Sequence, residues 1–159
     1  MTDKKEEYKE LCQALKGLIE DESDALANLA NSAALIYNRL EQLNWAGFYL
    51  YKENQLILGP FQGKPACIRI ALGRGVCGTA ALNKEPLLVK DVHQFQGHIA
   101  CDEASLSEVV IPIVKKDKLI GVLDLDSPIK ERFDTSDLEG LLEYVGIVTS
   151  HIQFEQLLS

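Results

Sequence analysis

Apolar residues at the start of the chain are spaced for a helix. In "EEYKELCQALKGLIEDE", Tyr8, Leu11, Cys12, Leu15, Leu18 and Ile19 recur at steps of three and four, which gathers them on one helical face. The same period returns from about Asp24 to Gln42, with Leu26, Leu29, Ala33, Ile36 and Leu40 along one side. The period then shortens to two. "WAGFYLYK" and "QLILGPFQ", separated by "EN", predict an antiparallel hairpin. "ACIRIAL" predicts a third strand, ended by "GRG", and "VCGTAALNK" a short helix. "PLLVKDV" predicts a brief strand, and "SEVVIPIVKKDKLIGVLDLDS" a hairpin turning at "KKDK". A long helix is expected from about Ser136 to Leu158, opened by a capping box at "SDLE". Its apolar face would hold Leu138, Leu141, Leu142, Val145, Val148 and Ile152.

That order predicts an α+β layout, a mostly antiparallel sheet with terminal helices packed on one face. No repeat, low-complexity tract or linker divides the 159 residues, so a single domain over 1–159 is expected. The apolar runs are too short to span a membrane. The opening "MTDKKEEYKE" is charged and lacks the apolar segment of a signal peptide, so the expected location is cytoplasmic. A net charge of −8 without a basic stripe argues against nucleic acid as a partner. In a reducing compartment the four cysteines do not form a structural disulfide framework; metal binding, catalysis and plain burial remain.

"LGRGVCGTAALNKEP" carries both a thiol and glycines spaced for a phosphate loop. Gly73, Gly75 and Gly78 match G-x-G-x-x-G, with Asp91 eighteen positions after the first glycine. A doubly wound nucleotide fold needs repeated strand–helix–strand crossovers, and this order offers at most one. The glycines are better explained as a strand-to-helix turn. Cys77 would then sit in the first turn of a short helix, where free N–H groups and the helix dipole favour a thiolate. Cys12, on an amphipathic helix face, is explained by burial alone. Cys67, Cys77 and Cys101 lack the tight pairing of zinc sites. His93 and His98 leave a mixed metal site open, but both are expected as solvent-exposed loop residues. Cys101 lies in the long polar segment "HQFQGHIACDEASLSE", and loops of that length are more often functional than accidental.

The carboxylates add direction. Strand alternation puts Val122, Asp124 and Asp126 on one face of "GVLDLDS", opposite Leu123 and Leu125. Glu108 shares a face with Val110 and Pro112, opposite Val109 and Ile111. If the two strands are neighbours, three carboxylates crowd one side of the sheet, as a pocket needing negative charge or a proton donor would require. Solvated strand charges are the bland alternative. Trp45 and Tyr49 alternate along the first strand and suit either aromatic walls or core.

Together "NWAGFYLY", "GPFQGKPACIRI", "GRGVCGTA", "HIACDEASLSEVVIPI" and "GVLDLDSP" closely resemble the free methionine-(R)-sulfoxide reductases, a branch of the GAF domain superfamily. The resemblance covers nearly the whole chain, most strongly Asn44 to Pro128. It implies a GAF-like fold with the terminal helices on one side of the sheet and the ligand pocket on the other. It also implies thiol-dependent reduction of the R epimer of free methionine sulfoxide. Matched residue by residue, it assigns Cys101 as catalytic nucleophile, Cys67 as resolving cysteine and Cys77 as a third active-site cysteine, a backup or relay. Trp45, Tyr49, Glu108, Asp124 and Asp126 match the substrate pocket. The implied cycle passes through a sulfenic acid and an intramolecular disulfide, reduced by external thioredoxin with NADPH through thioredoxin reductase. No bound metal, flavin or nicotinamide is expected, and a homodimer is. Two other readings stay open: a GAF module that senses a small ligand without catalysis, and a redox-responsive dimer without turnover.

Overall fold

The computed structural model describes residues 3–98 and 103–158. Two helices open it, α1 (Lys4–Ile19) and α2 (Ala25–Arg39), each begun by an aspartate whose carboxylate accepts from an N–H of the first turn. Six strands follow: β1 (Trp45–Lys52), β2 (Gln55–Gly63), β3 (Arg69–Ala71), β4 (Leu87–Val89), β5 (Ser107–Lys115) and β6 (Lys118–Ser127). They form one antiparallel sheet in the order β3-β2-β1-β6-β5-β4. Helix α3 (Gly75–Asn83) lies between β3 and β4 in sequence, and α4 (Thr135–His151) closes the fold.

Alternation along the central strands divides the interior in two. Ala46, Phe48 and Leu50 of β1, Val109, Ile111 and Ile113 of β5, and Leu123 and Leu125 of β6 face a core shared with α1, α2 and α4. Trp45, Tyr49, Val110 and Val122 face the opposite way, toward α3. The expected GAF-like arrangement is therefore present, with the terminal helices on one side of the sheet. Tyr8 ties α1 to α4: its buried hydroxyl donates to Asp137 at 2.7 Å, and Lys4 and Arg132 pair with the same carboxylate.

Several boundaries differ from the sequence expectation. Helix α4 stops at His151, and a separate 3-10 turn covers Phe154–Gln156. Its capping box is built from Asp134 and Asp137, two residues before the expected Ser136 and Glu139, because Asp134 is the first residue with extended backbone and a carboxylate in reach of the N3 amide. Leu18, Leu26 and Leu142, expected on buried faces, are exposed. The apolar stripes of these helices are narrower than the residue pattern, and Tyr144 and Ile147 take up the burial on α4. The third strand shrinks from "ACIRIAL" to three residues, since β3 pairs only with Gln55–Ile57 of β2 at the sheet edge. Among the described residues, no helix is long and apolar enough to cross a membrane.

Candidate active site

The register of the three central strands assembles the site. Glu108 of β5 lies opposite Asp126 of β6, which lies opposite Trp45 of β1. One step along, Val110, Asp124 and Gly47 form the next row. Strands β5 and β6 are thus neighbours, and the three carboxylates share the face turned away from the terminal helices. Gly47 leaves room here: an added Cβ would fall 2.3 Å from the Phe61 Cβ and 2.9 Å from the Trp45 ring.

Trp45, Glu108, Asp124 and Asp126 line one cavity, together with the start of α3. Trp45 and Tyr49 stack with centroids 5.9 Å apart, and Phe61 backs Trp45 at 5.2 Å. Both polar tips are anchored: the Trp45 indole N–H donates to the Lys64 carbonyl at 3.1 Å, and the Tyr49 hydroxyl to the Cys67 carbonyl at 2.9 Å. The aromatic walls are therefore fixed to the segment that carries Cys67. Of the expected pocket residues, Trp45, Tyr49, Cys77, Glu108, Asp124 and Asp126 all line the cavity.

The glycine-rich stretch is a turn into α3. Gly73 and Gly75 have φ of +85° and +64°, conformations that L side chains rarely adopt. Gly78 serves a close approach instead: a Cβ there would sit 2.4 Å from the Ala71 carbonyl oxygen. The turn brings Cys77 onto the acids, with its Sγ 3.9 Å from Glu108 Oε2.

That placement overturns one expectation. The helix N-terminus was expected to favour a Cys77 thiolate, but the thiol is held well above its ordinary range by burial, then by the charges of Asp124, Glu108 and Asp126. Local acids and lost hydration outweigh the dipole, so Cys77 is a neutral thiol. The acids perturb one another likewise. Glu108 lies well above the usual carboxylate range, from burial first and then the charge of Asp124. Asp124 is pushed up to about 8 by burial first and then by Asp126. Neighbouring carboxyls stripped of water retain protons, so the cavity holds carboxylic acids near neutral pH.

The remaining sequence candidates divide. Cys12 is a buried core thiol, raised to about 11 chiefly by burial. Cys67 is disulfide-bonded, whereas Cys12 and Cys77 are free thiols. Cys101 lies outside the described residues, in the segment between His98 and Glu103. His98 was expected to be a solvent-exposed loop residue; it lines the cavity instead and is shifted down, by burial first and then by His93. His93 remains exposed and pairs with Asp91, which is also bound by Lys130 rather than facing a ligand. Arg74 and Ser105 also line the cavity, and Ser105 accepts a hydrogen bond from Asn44 at 2.9 Å. Neither was singled out from the sequence, although both lie within motifs that carry the family resemblance. As for metal donors, one ligand atom each from Cys77, Glu108 and Asp124 lies within 4.8 Å of the others.

Comparison with known proteins accords with this arrangement. Residues 24–153 match the GAF domain family. The chain is 52% identical to the free methionine-R-sulfoxide reductase of Escherichia coli, over 90% of this chain and 87% of that protein. It is 42% identical to the free methionine-R-sulfoxide reductase of Saccharomyces cerevisiae, over 96% and 89%. The X-ray structure of free methionine-R-sulfoxide reductase from Neisseria meningitidis in complex with its substrate superposes with a TM-score of 0.93 at 39% identity, covering 98% of this chain and 94% of that one. With the fold, the acid-lined cavity and these relatives in agreement, the chain belongs to the free methionine-(R)-sulfoxide reductase family of GAF domain proteins.

Proposed function

We propose that this protein reduces free methionine-(R)-sulfoxide to methionine with a cysteine nucleophile. The observation that carries the proposal is the convergence of Glu108, Asp124 and Asp126 with the Trp45–Tyr49 stack in one small cavity, about 50 Å³. A stacked aromatic wall suits a thioether chain, and carboxylates suit its ammonium group. A cavity whose acids ionise only toward a cation disfavours a phosphate ligand, which weakens the sensor alternative.

Cys101 is the proposed nucleophile. Its segment is bracketed by His98 and Ser105, both of which line the cavity. The thiolate attacks the sulfoxide sulfur while a carboxylic acid gives its proton to the departing oxygen. Glu108 suits that role because burial keeps it protonated; Asp126 holds the ammonium, joined by Asp124 as the incoming cation displaces its proton. Methionine leaves, and the oxygen stays on Cys101 as a sulfenic acid. The Cys67 thiol then attacks that sulfur, releasing water and forming a disulfide that an external dithiol such as thioredoxin reduces by exchange. Cys67 in a disulfide beside free Cys12 and Cys77 supports this division of labour. Cys77, buried and neutral, is a reserve partner at most. Two copies are expected to associate, and catalysis is assigned within one chain.

The deciding assay supplies each methionine sulfoxide epimer with thioredoxin, thioredoxin reductase and NADPH. NADPH consumption confined to the R epimer is expected; none above background with it would overturn the proposal.

A further inference from the structure

The proposed chemistry uses the acids and the Cys101 thiol, and leaves the Cys77 thiol without a chemical step. Yet Cys77 Sγ and one oxygen each of Glu108 and Asp124 converge within 4.8 Å. All three residues are more than nine-tenths buried, at 5%, 7% and 5% exposure. Asp124 Oδ1 is buried and has no hydrogen-bond partner among the described residues, and Asp124 lines the cavity. A buried oxygen left without a donor is a costly arrangement that a bound cation would relieve.

The spacing fits a small thiophilic ion. Zinc bonds to sulfur at about 2.3 Å and to carboxylate oxygen at about 2.0 Å, which at tetrahedral to trigonal angles separates the two donors by roughly 3.5–3.7 Å. Cys77 Sγ and Glu108 Oε2 stand 3.9 Å apart, so a shift of a few tenths of an ångström completes the geometry. Arg74 lines the same cavity, yet it is not among the groups that perturb Asp124 and Cys77. The charged groups acting on Asp124 and Cys77 are other members of the acid cluster, not a lysine or arginine. A thiolate donor and a cluster of few ligands disfavour magnesium and calcium, which take all-oxygen shells.

We propose that Cys77, Glu108 and Asp124 form a binding site for a thiophilic divalent cation of the zinc class, and that its occupation shuts the pocket to substrate. Binding replaces the Cys77 thiol proton and the protons held by the two acids, which pass to solvent; no electron moves. The ion is an inhibitor, not a cofactor, because it sits where the substrate ammonium is placed. That inhibitory half rests on the proposed function, whereas the binding half does not.

Cobalt(II), added to the thiol-reduced, metal-free protein, is the probe for binding. A thiolate-to-cobalt charge-transfer band is expected, displaced by one equivalent of zinc. It should vanish in Cys77→Ala and persist in Cys12→Ala. Asp124→Asn should weaken zinc affinity, read by competition with cobalt, by about tenfold or more, the scale on which metal sites respond to lost partners. No band, or a band that survives Cys77→Ala, would overturn the site. Should Cys77→Ala not fold, unchanged affinity in Asp124→Asn overturns it equally. With R-sulfoxide as substrate, zinc should raise KM and leave kcat unchanged; a fall in kcat alone overturns the inhibitory half. A protein that binds cobalt through Cys77 but turns over neither epimer keeps the site and loses the function.

Discussion

Replacing Asp124 by asparagine tests whether the pocket stores a proton. In the folded protein this carboxyl is pushed from 3.8 to about 8, mainly by burial and then by Asp126. Between those values the folded chain holds a proton that the unfolded chain has released. Stability must therefore fall as pH rises through that window. One proton held by the native state alone costs about 1.4 kcal/mol per pH unit, so the wild type should lose about 3 kcal/mol between pH 5 and pH 7 from this group. Asparagine keeps the shape and carries no proton to lose. Urea denaturation of both proteins at half-unit steps from pH 5 to pH 7 provides the measurement, and the difference between them cancels titrations outside the acid cluster. Asp124→Asn should gain on the wild type at about 1.4 kcal/mol per unit of rising pH, approaching its maximum advantage near pH 8. Glu108 stays raised in the variant because burial is its leading cause. Parallel stability profiles would refute the reasoning: Asp124 would then ionise alike in both states, and the acid pocket would be hydrated.

The other predictions concern turnover and packing. Without reductant, Cys101→Ser should form no methionine, Cys67→Ser should release about one equivalent per site before stalling, and Cys12→Ser should match the wild type, as quenched single-turnover assays would show. Product from Cys101→Ser would mean that another residue is the nucleophile. Free methionine sulfoxide should be reduced at least about a hundredfold faster, in kcat/KM, than its N-acetyl form, because acylation leaves buried carboxylates without their ammonium partner. Comparable rates would contradict that assignment. Gly78→Ala should destabilise by roughly 1–3 kcal/mol, since its Cβ would meet backbone rather than a yielding side chain. Tyr8→Phe should cost about 1–3 kcal/mol by leaving part of buried Asp137 without its donor, read as a lower urea midpoint.

What the sequence determined by itself is what short-range periodicity encodes. The shift from three-and-four spacing to alternation located the elements, because a helix or strand must present its apolar residues on one side. Alternation alone placed Asp124 and Asp126 opposite Leu123 and Leu125, and Glu108 opposite Val109. The order of elements argued against a nucleotide loop at Gly73, Gly75 and Gly78, and the motifs pointed to the family. Tertiary structure decided the rest. That β5 and β6 are neighbours, with Glu108 in register with Asp126, depends on strand pairing across the sheet. Which leucines of a helical stripe are covered depends on the partner that arrives, so Leu26 and Leu142 look like core in sequence and stand in solvent. The Cys77 thiol shows the limit most directly. Its position at a helix start is a local property and favours the thiolate. Burial against Glu108, Asp124 and Asp126, residues distant in sequence, reverses that preference. Desolvation and close like charges act over a few ångströms of space, not along the chain, so no local pattern records them.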